Sequence, residues 1–283
     1  MSTLRSGALA LGGFAAAFLA YAGGIERSWL VLTRHTVVVA GLPHAWDGLC
    51  IAQLSDLHLG SSGAPYRMFQ RAVATTVALR PDLIVLTGDY SDDGQPRSFD
   101  LLAPLARAAP TLAVLGNHDY FQQSTGANAI AGGLEAQGIT VLRNAMTTFI
   151  YNGVAGSVAG FDDDRSGPGA DVAGIVAQMR GSPRIVLVHE PDVVDRFPPH
   201  WAHLALAGHT HGAQVRLSPV RTMDWIRWTR GDKHSRYPRG WFTINGNLLY
   251  VNRGLGVAGH PVRFAARPEL ACFTLVRDEG LPR

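Results

Sequence analysis

Five short stretches of this chain carry side chains of the kind that bind metal ions: Asp56-Leu57-His58, Gly88-Asp89, Gly116-Asn117-His118-Asp119, His189, and Gly208-His209-Thr210-His211. Their donors are imidazole, carboxylate and one amide oxygen, with no thiolate, a set that suits Mn, Fe, Zn or Co. The seven residues Asp56, His58, Asp89, Asn117, His189, His209 and His211 offer more donors than one ion needs. They fit two ions sharing a carboxylate. Two ions roughly 3.5–4 Å apart clamp the attacking and leaving oxygens of a phosphoryl displacement.

Taken singly, each stretch has an ordinary explanation. Gly-Asp is a common turn, and a lone histidine after a strand is more often a core residue than a ligand. Gly208-His209-Thr210-His211 is more specific, because imidazoles at i and i+2 after a glycine rarely arise for packing. All five in one chain, each at the end of an apolar run, leave coincidence little room.

The elements that must position these residues are legible. Leu49–Leu54, Asp82–Thr87, Thr111–Leu115, Arg184–Val188 and Leu204–Ala207 are apolar strands that run directly into the ligand stretches. Parallel strands open their carboxyl ends on one crevice, so ligands from separate strands meet there. Residues i and i+2 of an extended chain point the same way, which lets Asp56 and His58, or His209 and His211, grip one ion. Helices are expected at Tyr66–Leu79, Phe99–Ala109, Asn128–Gln137 and Asp171–Met179. Further strands are expected at Arg34–Ala40, Thr140–Leu142, Thr147–Tyr151, Ser157–Gly160, Gln214–Leu217, Leu248–Val251 and Ala271–Val276. The first half alternates β-α-β, predicting a parallel sheet; the strand-rich second half predicts another, mixed sheet.

Hydrophobic residues make up 47% and charged residues 17% of the 283, which excludes a disordered chain. Gly7–Ile25 holds no charged residue and ends at Glu26 and Arg27. Such a run is expected to be a membrane anchor, or alternatively a signal peptide cleaved near Ala20-Tyr21-Ala22; a buried helix of the domain is the third reading, against which the lack of a polar face counts. Residues 1–33 are thus set apart from a catalytic domain at 34–283, with the protein at the inner or plasma membrane. Cys50 and Cys272 both sit in apolar strands, as buried thiols or as one disulfide.

The ordered set Asp56-x-His58, Gly88-Asp89, Gly116-Asn117-His118-Asp119, His189 and Gly208-His209-x-His211 resembles the full signature of calcineurin-like metallophosphoesterases, from about Leu49 to the end. The resemblance implies an α/β fold, a four-layer αββα sandwich of two mixed sheets flanked by helices. It implies in-line attack on phosphorus between two divalent ions, with Mn favoured. Asp56, His58 and His211 would hold the first ion, Asn117, His189 and His209 the second, and Asp89 both. His118 would contact the phosphate and protonate the leaving oxygen, with Asp119 orienting it.

Tyr237-Pro-Arg-Gly-Trp241, Asn252-Arg-Gly-Leu-Gly256 and Pro261-Val-Arg-Phe264 are similar to a membrane-associated bacterial branch. That branch includes phosphodiesterases and UDP-2,3-diacylglucosamine pyrophosphatases of lipid A synthesis. The basic block Arg216–Arg239 contains Trp225, Ile226 and Trp228, a composition suited to an interfacial surface and a lipid-linked phosphate ester. A lid whose tryptophans pack on the domain is the alternative. A soluble nucleotide is the competing substrate, and a metal-binding scaffold the competing role. Nucleic acid has no other support.

Overall fold

The computed structural model describes residues 12–60, 65–216 and 236–278. In chain order its strands are β1 (Val31–Val39), β2 (Cys50–Leu54), β3 (Leu83–Thr87), β4 (Thr111–Val114), β5 (Thr140–Val141) and β6 (Ala145–Tyr151). They continue as β7 (Val154–Gly160), β8 (Arg184–Leu187), β9 (Leu204–Ala207), β10 (Gly240–Ile244), β11 (Asn247–Val251) and β12 (Glu269–Arg277). The helices are α1 (within 12–20), α2 (Tyr66–Ala78), α3 (Ala103–Ala108), α4 (Gln123–Glu135) and α5 (Val172–Gln178).

Two six-stranded sheets form, ordered β1-β12-β2-β3-β4-β5 and β10-β11-β9-β8-β7-β6. In the first, β2, β3, β4 and β5 run parallel and β12 is antiparallel to β2. In the second, β11, β9, β8 and β7 run parallel, with β10 and β6 antiparallel at the edges.

Alternation along each strand builds the layers. On β3, Ile84 and Leu86 face α2, α3 and α4, while Leu83 and Val85 face the second sheet and meet Ile185, Leu187, Leu204 and Leu206. On β8 and β9, Val186, Ala205 and Ala207 face outward to a third core with Ile175 of α5. Three cores between four layers are the expected αββα sandwich. Both faces of the central strands are covered, which is why they are apolar runs rather than alternating ones.

Some elements differ from the sequence reading. The helix expected at Phe99–Ala109 begins as a 3₁₀ turn over Phe99–Leu102, because Pro104 falls in the first turn of α3. Helix α4 starts earlier than expected, at Gln123. Gln214–Leu217 is no strand within its described part: Val215 makes a single bridge to Phe264. β10 falls outside the strands that the sequence predicts.

The membrane localisation is corrected. No helix among the described residues is long and apolar enough to cross a membrane. The later part of the apolar run turns onto the domain instead. The rings of Phe18 and Tyr21 pack on Phe264, with centroids 4.9 and 6.2 Å away. Ala22 and Glu26 are buried. The Ala22 carbonyl accepts the Arg263 N–H at 3.0 Å, and Glu26 Oε1 accepts the Ala266 N–H at 2.8 Å. Residues 1–11, which include the start of that run, and 217–235 with Trp225, Ile226, Trp228 and most of the basic block, lie outside the described residues.

Candidate metal centre

The carboxyl ends of β2, β3, β4, β8 and β9 place all seven candidate ligands at one end of the sandwich. Donor atoms of Asp56, His58, Asp89 and His211 lie within 4.8 Å of one another, as do those of Asp89, His189 and His209. Asp89 belongs to both groups. Asn117 joins the second: its Oδ1 is 3.2 Å from His189 Nε2 and 3.0 Å from His209 Nδ1.

The backbone at the site is strained. Asp56 (φ 49°), His58 (φ 45°), Asp89 (φ 56°), His209 (φ 73°) and His211 (φ 51°) all lie in the left-handed region. Each such non-glycine residue costs of order 1–3 kcal/mol, and such strain persists where surrounding structure holds it for a function. Gly116 and Gly208 sit where chains nearly touch. A Cβ on Gly208 would overlap Ser55 Oγ and lie 2.6 Å from Asp56 Oδ2.

Outer hydrogen bonds set the imidazole tautomers. His189 Nδ1 lies 2.8 Å from the Thr87 carbonyl, which only accepts, so Nδ1 carries the proton and the Nε2 lone pair faces the cluster. His58 Nδ1 is likewise 2.7 Å from Asp92 Oδ1, leaving Nε2 to face His211 Nε2 at 3.2 Å. Ring nitrogens with inward lone pairs and outward carboxylate or carbonyl partners are how metal-binding histidines are held. The residues present therefore fit two divalent ions.

The buried groups shift one another in both directions: burial would lower the His58 and His189 imidazoles, but the carboxylates around them outweigh it and push both up. Burial and the neighbouring Asp89 push the Asp56 carboxyl up. Burial works against the Asp89 charge too, but His189, His118 and His58 outweigh it and hold its carboxyl well below the usual range. Burial and His189 push the His209 imidazole well down, toward the neutral ligand form.

His118 and Asp119 are brought to the same place. The His118 N–H donates to Asp89 Oδ1 at 2.9 Å. Its ring lines a cavity of about 260 Å³ with Asp89, Asn117, Phe121, Arg165, His209 and His211. Asp119 is fully buried. Its carboxylate accepts the N–H groups of Gly116 (2.8 Å), Tyr90 (2.9 Å), Asp89 (3.0 Å) and Ser91 (3.4 Å). The described bonds thus give Asp119 a backbone-holding task.

The Asn252–Gly256 motif backs the site from below. The N–H groups of Leu255 and Gly256 donate to the Ser55 and Asp56 carbonyls at 2.9 and 2.7 Å. The buried Arg263 guanidinium holds this loop, donating to the Arg253 and Gly254 carbonyls at 2.9 and 3.1 Å.

Sequence reasoning missed Asp92 and Arg165. Asp92 stands three residues after Asp89, where a carboxylate partner for a ligand imidazole could have been sought. Arg165 follows Asp162-Asp163-Asp164, which looks like a solvated turn.

Residues 50–213 match the family model described as calcineurin-like phosphoesterase. The chain is 34% identical over 284 residues to an uncharacterized metallophosphoesterase, YkuE, of Bacillus subtilis (strain 168), covering 96% of this chain and 93% of the relative. It is 32% identical over 259 residues to the phosphodiesterase YaeI of Escherichia coli (strain K12), covering 89% and 90%. Among solved structures, a dimetal phosphatase from Danio rerio is similar at 12% identity and a TM-score of 0.44, covering 81% of this chain and 99% of that one. The chain belongs to the calcineurin-like phosphoesterase family, and it is a metal-dependent phosphoester hydrolase with the residue clusters of a dimetal site.

Proposed function

We propose that the chain hydrolyses phosphodiesters at the cavity floored by Asp89. The observation that carries this reading is the sharing of Asp89 between two ligand clusters. Asp56, His58 and His211 would hold one ion and Asn117, His189 and His209 the other. Bound there, two divalent ions supply Lewis acidity and an activated water nucleophile.

The chain's own residues do the rest. His118, on the wall of the same cavity, contacts the phosphoryl group and gives a proton to the leaving oxygen. Asp119 fixes the backbone that carries Asp89 and His118. The phosphodiesterase name of YaeI favours a diester over a monoester. The lipid A pyrophosphatase reading rests on the resemblance of Tyr237–Trp241, Asn252–Gly256 and Pro261–Phe264 to a branch that holds both activities, with the membrane anchor, now corrected, in support. Between the two, the YaeI name favours the simple diester as the substrate class.

The test is hydrolysis of bis(p-nitrophenyl) phosphate by the full chain supplied with Mn²⁺, with UDP-2,3-diacylglucosamine as a second substrate. Wild type should cleave the diester, Asp89→Ala should abolish cleavage and metal binding together, and His118→Asn should lower kcat about 10²–10⁴-fold with metal retained. Bound metal without cleavage of either substrate would leave a scaffold as the better reading. Much faster cleavage of the lipid nucleotide would restore the pyrophosphatase.

A further inference from the structure

A strand with no expected site residue also opens on the metal cavity, and it brings a cation there. β7 pairs in parallel with β8, which delivers His189, and β8 pairs in parallel with β9, which delivers His209 and His211. The three carboxyl ends therefore share one crevice. The chain leaving β7 turns around Asp163, which is 2% exposed. Asp163 Oδ2 accepts the N–H of Arg165 at 3.0 Å and of Ser166 at 2.7 Å, and its carbonyl accepts the Gly169 N–H at 3.0 Å. These bonds fix where the Arg165 side chain begins. Its far end is fixed too: Nε lies 2.8 Å from Oε1 of Glu190, the residue directly after His189. Held at both ends, the guanidinium lines the same cavity as Asp89, Asn117 and His118.

We propose that Arg165 binds a non-bridging oxygen of the phosphoryl group on which the metal centre acts, with Glu190 as its positioning residue. The inference rests on the phosphoesterase reading above. Three features support it. The loop is already shaped by Asp163, so the Arg165–Glu190 pair is not needed to build it. The Arg165 side chain is 40% exposed while its partner Glu190 is only 11% exposed, so the carboxylate anchors the guanidinium from within and leaves it an open face toward the cavity. What the pair does achieve is orientation: a planar guanidinium presents its donors to a tetrahedral oxyanion as a fork, which a lysine cannot reproduce. A cation aligned before substrate arrives loses less freedom on binding, and this lowers KM as well as the barrier.

The experiment uses the full chain loaded with Mn²⁺ and compares wild type with Arg165→Ala, Arg165→Lys and Glu190→Gln. Five quantities are read: inorganic phosphate affinity by calorimetry, kcat and KM for bis(p-nitrophenyl) phosphate, bound metal by mass spectrometry, and thermal midpoint. Arg165→Ala should weaken phosphate binding about 10- to 100-fold and lower kcat/KM by a similar factor, with metal content and midpoint as in wild type. Arg165→Lys should fall between. Glu190→Gln keeps the cation and loses its alignment, so KM should rise more than kcat falls. Unchanged phosphate affinity and KM in Arg165→Ala, in a preparation where wild type cleaves the ester, overturns this inference and leaves the phosphoesterase reading intact. Loss of metal or of thermal stability in that variant also overturns it, since the pair would then be structural. If wild type binds phosphate through Arg165 yet cleaves no ester, the phosphoesterase reading falls and the anion site stands.

Discussion

The carboxylate of Asp119 accepts the backbone N–H of Asp89 at 3.0 Å, so the residue common to both ligand clusters is held by its main chain as well as its side chain. The same carboxylate ties down Gly116, Tyr90 and Ser91, joining the loops after β3 and β4.

Asp119→Ala should therefore destabilise the fold and the metal centre together. Buried amides left without an acceptor cost about 1–3 kcal/mol each before relaxation, and a total near 3–5 kcal/mol is expected. Urea unfolding of the metal-free protein measures the stability, and metal titration the affinity. A variant with wild-type stability and metal affinity that has lost only turnover would instead favour the orienting role toward His118.

Gly88→Ala should damage the second ligand group selectively. Gly88 has φ +88°, and an added Cβ would lie 2.6 Å from His189 Nδ1 and 2.7 Å from the Gly116 nitrogen. His189 must then shift off the Thr87 carbonyl that sets its tautomer. Metal content should fall below wild type while far-ultraviolet circular dichroism is retained. Full metal occupancy in this variant would show that the loops yield more easily than the packing implies.

His203 predicts a pH dependence far from the metal centre. Its Nδ1 accepts the Arg184 N–H at 3.0 Å, and burial, reinforced by the Arg184 guanidinium, pushes the imidazole down to about 4. The unfolded ring titrates near 6.5. Between these values the unfolded chain binds more protons, so stability is full above about 6.5 and is lost as pH falls toward 4. His203→Asn keeps an acceptor and removes the titration. Its thermal midpoint should fall less than that of wild type over this window, and parallel pH profiles would refute the assignment.

The central architecture was legible because strands covered on both faces must be apolar throughout, and each ends abruptly in ligand-type residues. Leu83–Thr87 followed by Gly88-Asp89 is such a case. Less legible features depend on tertiary partners. β10 has half-exposed alternation beside a basic segment, and only its pairing with β11 makes it a strand. Arg165 follows three aspartates whose separate tasks are invisible in sequence: Asp163 holds the loop, while Asp164 accepts from Arg196 at 2.6 Å. In the amino-terminal run, Phe18, Tyr21 and Ala22 meet the domain while Phe14 and Leu19 stay exposed, a division that hydropathy alone does not show.

That docking carries a consequence for how the chain can be shortened. Glu26 Oε1 holds the Ala266 amide, Arg263 reaches the Ala266 carbonyl at 2.7 Å, and the same guanidinium lies 3.5 Å from His211 Nδ1. Trimming the chain at the first strand, as one would to discard a leader, removes the far end of this relay. Catalysis in such a truncated protein would be impaired from a distance, with every ligand still in place.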